Sequence, residues 1–312
     1  MDRKGSMLGK GGGLVLAMSA AAALIGIGGV AQADLFGIAN DSAFGNGVLE
    51  TVDLTTHTVV GSFVPDGAKI GSSNGRGVQL FIGSNIVYYT ELTGNGFGPT
   101  DVIRAAPWNN GAGGADIFSF ANPVPGTGVA VLAASGGLLY ILTGYPNGPE
   151  VVQAFTGSGV PVGPTVTLHT LAGGLLSSSD GFTILPNGNW LINDGDAVNS
   201  YNQYNPVTGN EIAGTTVQGH TTGGALCGSS TGVDNNGTSL FFDCNLNNMV
   251  EDTFAGVFIA NNNFDRSGFE DLSNDAGQVI NPPSGAPEPA SLSVLGAALI
   301  GLGWLRRRQR SA

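Results

Sequence analysis

The 312-residue chain predicts an all-β protein, a β-propeller of about five four-stranded blades, and three observations carry that prediction. No window between residues 35 and 285 sustains an apolar period of 3.6 with helix caps. Short runs of Val, Ile, Leu, Phe and Tyr alternate instead with polar Gly/Asn turns. The turn-and-strand units recur at steps of about 50 residues, a length that suits four short strands per repeat.

The units follow one another along the chain. Asn46-Gly47 opens a first, less regular copy and leads into Val48–Leu54. Gly83-Ser84-Asn85 precedes Ile86–Tyr89, and Ser135-Gly136-Gly137 precedes Leu138–Leu142. Pro186-Asn187-Gly188-Asn189 precedes Trp190–Ile192, and Asn235-Asn236-Gly237-Thr238 precedes Ser239–Phe242. The Asn187-Gly188 pair suits a type I′ turn, whose central residues both take positive φ. Thr58–Val64, Val151–Phe155 and Val166–Leu168 read as further strands, and Asn205–Asn210 as another tight turn. A β-sandwich is the alternative architecture, because it too is built from short strands and polar turns.

Composition narrows the function classes. Glycine supplies 52 residues and charged side chains only 11%, yet 42% of the chain is hydrophobic, which sets it apart from a disordered polar tract. Residues 34–289 hold 22 acids against four bases, Lys69, Arg76, Arg104 and Arg266, a net charge of −18. Such a body repels nucleic acid and anionic lipid faces. It stays soluble, and it attracts cations such as Ca²⁺.

The two ends are apolar and basic. Arg3, Lys4 and Lys10 precede an apolar run that finishes in Ala31-Gln32-Ala33, the small-residue pattern a signal peptidase accepts. Residues 1–33 are therefore expected to be a signal peptide cut after Ala33. Near the other end, residues 290–305 form an apolar segment followed by Arg306, Arg307, Arg308 and Arg310. Sixteen residues rise about 24 Å as a helix, short of the roughly 30 Å hydrocarbon core. Trp304 and the arginines extend that reach, and the positive cluster keeps the tail on the cytoplasmic side. The sequence thus divides into a signal peptide (1–33), a β-repeat domain (34–274), a Pro/Gly/Asn-rich linker (275–286) and an anchor (287–312) with a transmembrane helix at 290–305.

Pro287-Glu288-Pro289, the apolar span and the arginine cluster stand in the order of a sorting signal. The last 26 residues resemble the PEP-CTERM family on all three parts. The resemblance implies processing by an exosortase near Pro287, Glu288 and Pro289. It also implies export across the inner membrane of a Gram-negative-type bacterium, with a final place at the cell surface or outside it. An exopolysaccharide or biofilm setting follows, with exopolysaccharide or matrix protein as partner.

Candidate sites in the body are sparse. Cys227 and Cys244 are expected to form a disulfide in an oxidising compartment. Gly71-Ser72-Ser73-Asn74-Gly75 and Gly228-Ser229-Ser230-Thr231-Gly232 match G-x-S-x-G, but no helix follows to build a nucleophile elbow. His57, His169 and His220 lack the close spacing of zinc ligands. Asp180, Asp194, Asp196 and Asp234 are candidate oxygen ligands for Ca²⁺, against the plainer reading that Asp and Asn form Asx-turns. Trp108, Trp190, Tyr201 and Tyr204 are candidate aromatic contacts of a binding groove. The reading is a non-enzymatic binding or structural module. The alternative is a Ca²⁺-dependent hydrolase of lactonase type with Asp180, Asn193 and Asp234 at its axis.

Overall fold

The structure, a computed structural model, describes residues 34–41, 46–63, 75–81, 84–91, 100–107, 115–193, 200–226, 232–244, 248–264 and 269–274. The elements of regular structure in these residues are strands, apart from a 3₁₀ position at Ser84. The expected signal peptide, linker, sorting motif and C-terminal helix lie outside the described residues.

Twenty strands form five four-stranded antiparallel sheets. The first sheet takes β1 (Asp34–Asp41), β2 (Asn46–Asp53) and β3 (Thr58–Phe63) from the start of the body. The second holds β4 (Gly75–Phe81), β5 (Ile86–Glu91), β6 (Thr100–Pro107) and β7 (Ala115–Ala121). The third holds β8 (Gly128–Ser135), β9 (Leu138–Tyr145), β10 (Val151–Phe155) and β11 (Pro161–Thr167). The fourth holds β12 (Phe182–Ile184), β13 (Trp190–Asn193), β14 (Ser200–Tyr204) and β15 (Val217–Gln218). The fifth holds β16 (Val233–Asn235), β17 (Ser239–Asp243), β18 (Asn248–Thr253) and β19 (Phe258–Asn263). The last strand, β20 (Phe269–Asn274), returns to the first sheet and pairs with β1, Leu35 opposite Asn274 and Gly37 opposite Leu272. The first sheet therefore has its two chain ends joined as neighbouring strands.

Apolar side chains are buried between neighbouring sheets. Phe81, Tyr88 and Ile103 meet Leu132, Leu139 and Phe155 between the second and third sheets. Val131 and Val152 meet Phe182, Trp190 and Tyr204 between the third and fourth. Leu191 and Tyr201 meet Leu240 and Val250 between the fourth and fifth. Phe241 and Met249 meet Leu35 and Val52 between the fifth and first, and Leu49 meets Val78 and Val87 between the first and second. The strands β4, β8, β12, β16 and β20 touch in succession, and β20 touches β4 again. This closed ring is a β-propeller of four-stranded blades, and a two-sheet sandwich is excluded.

Two turns depart from expectation. Gly188 takes φ +84°, but Asn187 is absent from the positive-φ residues. Pro186 explains it: its ring holds φ near −65°, so the turn starts one residue earlier and Gly188 N–H donates to Leu185 O at 2.8 Å. The result is a type I turn with glycine at the left-handed position after it. Gly136 and Gly137, with no proline before them, both take positive φ (59° and 76°) as a type I′ turn requires. Asn46-Gly47 opens β2 and not the second strand of its sheet from the axis. The turn equivalent to the other four cannot exist there, because β20 and β1 come from opposite ends of the body.

Candidate functional site

The innermost strand of each sheet is an edge strand, so its axis-facing N–H groups need acceptors from elsewhere. One carboxylate supplies several. Asp271 of β20 is fully buried, and its Oδ2 accepts Val78 N–H of β4 at 2.8 Å and Leu132 N–H of β8 at 3.2 Å. Its Oδ1 accepts Leu272 N–H at 2.8 Å. A single side chain thus links three inner strands. Burial pushes the Asp271 carboxyl well above the usual carboxylate range, and the charge of Asp234 adds to the rise; the three N–H groups oppose it. Ser273, two residues on, accepts Leu80 N–H at 2.9 Å and the Gln79 side-chain amide at 3.1 Å.

A cavity of about 390 Å³ opens at the end of the ring where the inner strands turn back. The turns of Gly136, Gly188 and Gly237 form its rim, and Gln79, Thr183, Asp234 and Asn235 supply its polar wall. Asp234 Oδ1 accepts the Thr183 hydroxyl at 2.7 Å and Asn235 N–H at 2.7 Å. Asn235 Nδ2 donates to Thr183 Oγ1 at 2.9 Å and to Ile184 O at 3.0 Å. Asn236 Oδ1 accepts Thr238 N–H and Ser239 N–H at 2.9 and 2.8 Å, an Asx-turn that shapes the rim. Among the described residues, neither lysine nor arginine lines this cavity. The arrangement offers amides, hydroxyls and one carboxylate, the donor and acceptor mix that suits a neutral, hydroxyl-rich ligand.

Of the candidate cation ligands, Asp234 sits in this wall. Asp180 lies before β12 and acts on Glu150 instead, so the two are not brought together. Asn193 is buried and donates its N–H to Gly181 O at 3.0 Å. Asp194 and Asp196 lie outside the described residues. Among the described residues no three His, Cys, Asp or Glu side chains gather to hold a metal ion. Cys244 is disulfide-bonded, and the one other cysteine, Cys227, lies outside the described residues.

The remaining candidates are structural. The aromatic residues belong to the core, because they sit on sheet faces that pack against the next sheet. Trp190 stands edge-on to Tyr140 and Phe182, with ring centroids at 6.3 and 5.9 Å. Tyr201 contacts Phe242 at 5.1 Å, and both Tyr201 and Tyr204 are fully buried. Trp108 lies outside the described residues. The histidines are dispersed. His57 Nδ1 contacts Asn262 Oδ1 at 2.6 Å, His169 N–H donates to Gly209 O, and His220 N–H donates to Asp252 Oδ2 at 2.8 Å. Both G-x-S-x-G stretches run into strands, β4 at Gly75 and β16 at Val233, where an elbow needs a helix. Their serines lie outside the described residues.

Residue reading alone did not single out Gln79, Thr183, Glu150, Ser179 or Asp271. One signal was present for Asp271: an acid inside the apolar run of a terminal strand needs partners when buried. Another repeat also went unread. His169-Thr170 and His220-Thr221 stand 51 residues apart, each before a Gly-Gly turn, and each His bridges the leucine six residues on.

No protein-family model and no curated protein matches the chain. Solved structures do. A chain in the crystal structure of a nidogen/laminin complex is 12% identical at a TM-score of 0.51, over 79% of this chain and 99% of that one. A protein of unknown function from Bacteroides caccae is 10% identical at 0.47, over 78% and 98%. The glutaminyl cyclase of Myxococcus xanthus is 14% identical at 0.42, over 70% and 83%. The likeness to the chain of the nidogen/laminin complex is one of fold.

Proposed function

We propose that the chain is a non-catalytic binding propeller, exported and sorted to the cell surface or matrix by an exosortase. Its ligand is an uncharged, hydroxyl-rich saccharide of an exopolysaccharide, held at the axial cavity. The observation that carries this reading is the polar wall of Gln79, Thr183, Asp234 and Asn235 around about 390 Å³, with no lysine or arginine among the described residues that line it. Pocketed amides donate to and accept from sugar hydroxyls, and a carboxylate accepts from them. The fold shared with a chain of a nidogen/laminin complex supports the architecture only. The sorting half rests on Pro287-Glu288-Pro289 and Arg306-Arg307-Arg308 in the sequence.

Two measurements test the halves separately. Calorimetric titration of the purified full chain with oligosaccharides from the producing cell's exopolysaccharide should show binding that Asp234→Ala weakens by about tenfold, the loss of one hydrogen bond to a charged group, and Thr183→Ala by about fivefold, the loss of a neutral one. Unchanged affinity in both variants overturns the binding site, and Ca²⁺-dependent turnover of a lactone replaces it with the hydrolase reading. Intact mass from cells and medium should lack the residues after the sorting motif only where an exosortase is present. A mass retaining Arg310 in both strains means a plain membrane anchor.

A further inference from the structure

The opposite end of the ring carries a second concentration of oxygen atoms. In each antiparallel sheet, the turn from inner to second strand and the turn from third to fourth lie at one end. The second-to-third turn and the crossover to the next sheet lie at the other. Glu150 ends the β9–β10 connection, and Ser179 and Asp180 end the crossover from β11 to β12. The third and fourth sheets therefore meet through these residues, away from the axial cavity.

Glu150 is fully buried, and its Oε1 accepts Ser179 N–H at 3.0 Å. Its Oε2 has no hydrogen-bond partner. Ser179 is equally buried, and its Oγ also lacks a partner. The Pro149 carbonyl oxygen lies beside Glu150 Oε2: a methyl group on Gly144 would stand 2.7 Å from the first and 2.9 Å from the second. Burial pushes the Glu150 carboxyl well above its ordinary range, and the negative charge of Asp180 raises it further, against the Ser179 and Ser178 backbone N–H groups. Each buried polar atom left unpaired costs about 1–3 kcal/mol. The negative charge of Asp180 acts on Glu150 and adds repulsion. A cation held between them would satisfy both orphaned oxygens and turn the repulsion into attraction.

We propose that Glu150, Ser179 and Asp180, with the Pro149 carbonyl, form a binding site for a hard divalent cation, calcium by preference. Two carboxylates with neutral oxygens, completed by water, match calcium's demand for six to eight flexible oxygen ligands. Magnesium, which keeps near-ideal octahedral geometry, fits less well. The site joins two sheets, so its occupant stabilises the ring without taking part in ligand binding at the other end. Affinity is expected at about 10⁻⁴–10⁻³ M, the range of extracellular modules.

The test is thermal unfolding of the purified full chain, stripped with EGTA and titrated with calcium chloride at pH 7. At tenfold over half-saturation the melting temperature should rise roughly 3–6 °C. Magnesium should give less, and terbium luminescence should report one site. Glu150→Gln and Asp180→Asn should each abolish the rise or shift half-saturation at least tenfold. Asp180 is only half-buried, so Asp180→Asn keeps the test decisive if Glu150→Gln does not fold. An unmoved wild-type melting temperature overturns the proposal, as does an undiminished rise in Asp180→Asn. A proton on Glu150 in place of the cation makes calcium inert and Glu150→Gln stabilising, which overturns it equally.

Discussion

Replacing Asp271 with alanine is expected to weaken the ring more than any other single change at the axis. The carboxylate is fully buried and accepts Val78 and Leu132 N–H from two different inner strands. Alanine leaves both cross-strand donors without an acceptor, and takes away the one that Leu272 N–H uses. At about 1–3 kcal/mol for each orphaned cross-strand donor, the loss is about 2–6 kcal/mol. For a domain of this size, that lowers the melting temperature by roughly 4–24 °C. Asp271→Asn keeps the cross-strand hydrogen bonds without the charge, because its amide oxygen still accepts from both strands while its NH2 gives up only the Leu272 N–H. It should retain most of the stability. The acid's raised pKa gives a second handle. A carboxyl that holds its proton more tightly when folded stabilises the protein at low pH and loses that contribution as pH climbs above about 4. Asp271→Asn should therefore gain on wild type as pH rises. Guanidinium unfolding of the three proteins, followed by tryptophan fluorescence at pH 4 and pH 7, measures all of this. Asp271→Ala within about 0.5 kcal/mol of wild type, a size typical of neutral surface changes, refutes the reasoning. So does an Asp271→Asn as damaging as the alanine.

Other outcomes follow from the same geometry. Burial raises the Asp101 carboxyl to about 6, against a hydrogen bond from Asn122. Its contribution is present below about 4 and lost as pH rises through about 6, so Asp101→Asn should flatten the melting-temperature profile across that window. Gly209→Ala should cost more than Gly188→Ala: both have positive φ, but a Cβ on Gly209 falls onto the Thr167 carbonyl oxygen, while Gly188 faces open space. The strain alone is about 1–2 kcal/mol; equal melting temperatures for the two variants would contradict the packing. Cys244→Ser, or reduction of the disulfide, should cost roughly 3 kcal/mol in the chain-entropy account. Denaturant midpoints with and without reductant measure that loss, and no change would show that the loop is held by other contacts.

Legibility varied from residue to residue. The turns at Gly136-Gly137, Pro186–Asn189 and Asn236-Gly237 were readable because glycine and asparagine carry local conformational chemistry. Val151–Phe155 was readable as a strand because a short apolar run bounded by turn residues is a local pattern too. The turn type at Asn187-Gly188 was misread because the neighbouring proline outweighed the dipeptide. Of the aspartates proposed together, Asp234 reached the axial cavity and Asp180 reached Glu150. Trp190 and Tyr201 read as surface aromatics but pack between sheets. Residue type alone does not reveal which face a strand presents to its neighbour.

The sequence by itself determined the strand-rich character, the repeat, the acidic body and the expectation of export. Each of these is a local or compositional property. Only the tertiary structure decided that β20 closes the first sheet beside β1, 193 residues of separation notwithstanding between Asp271 and the Val78 N–H it accepts. It also decided which polar groups share an environment. Ring closure brings together inner strands that lie far apart in sequence, and their unpaired edges select the partners that hold them.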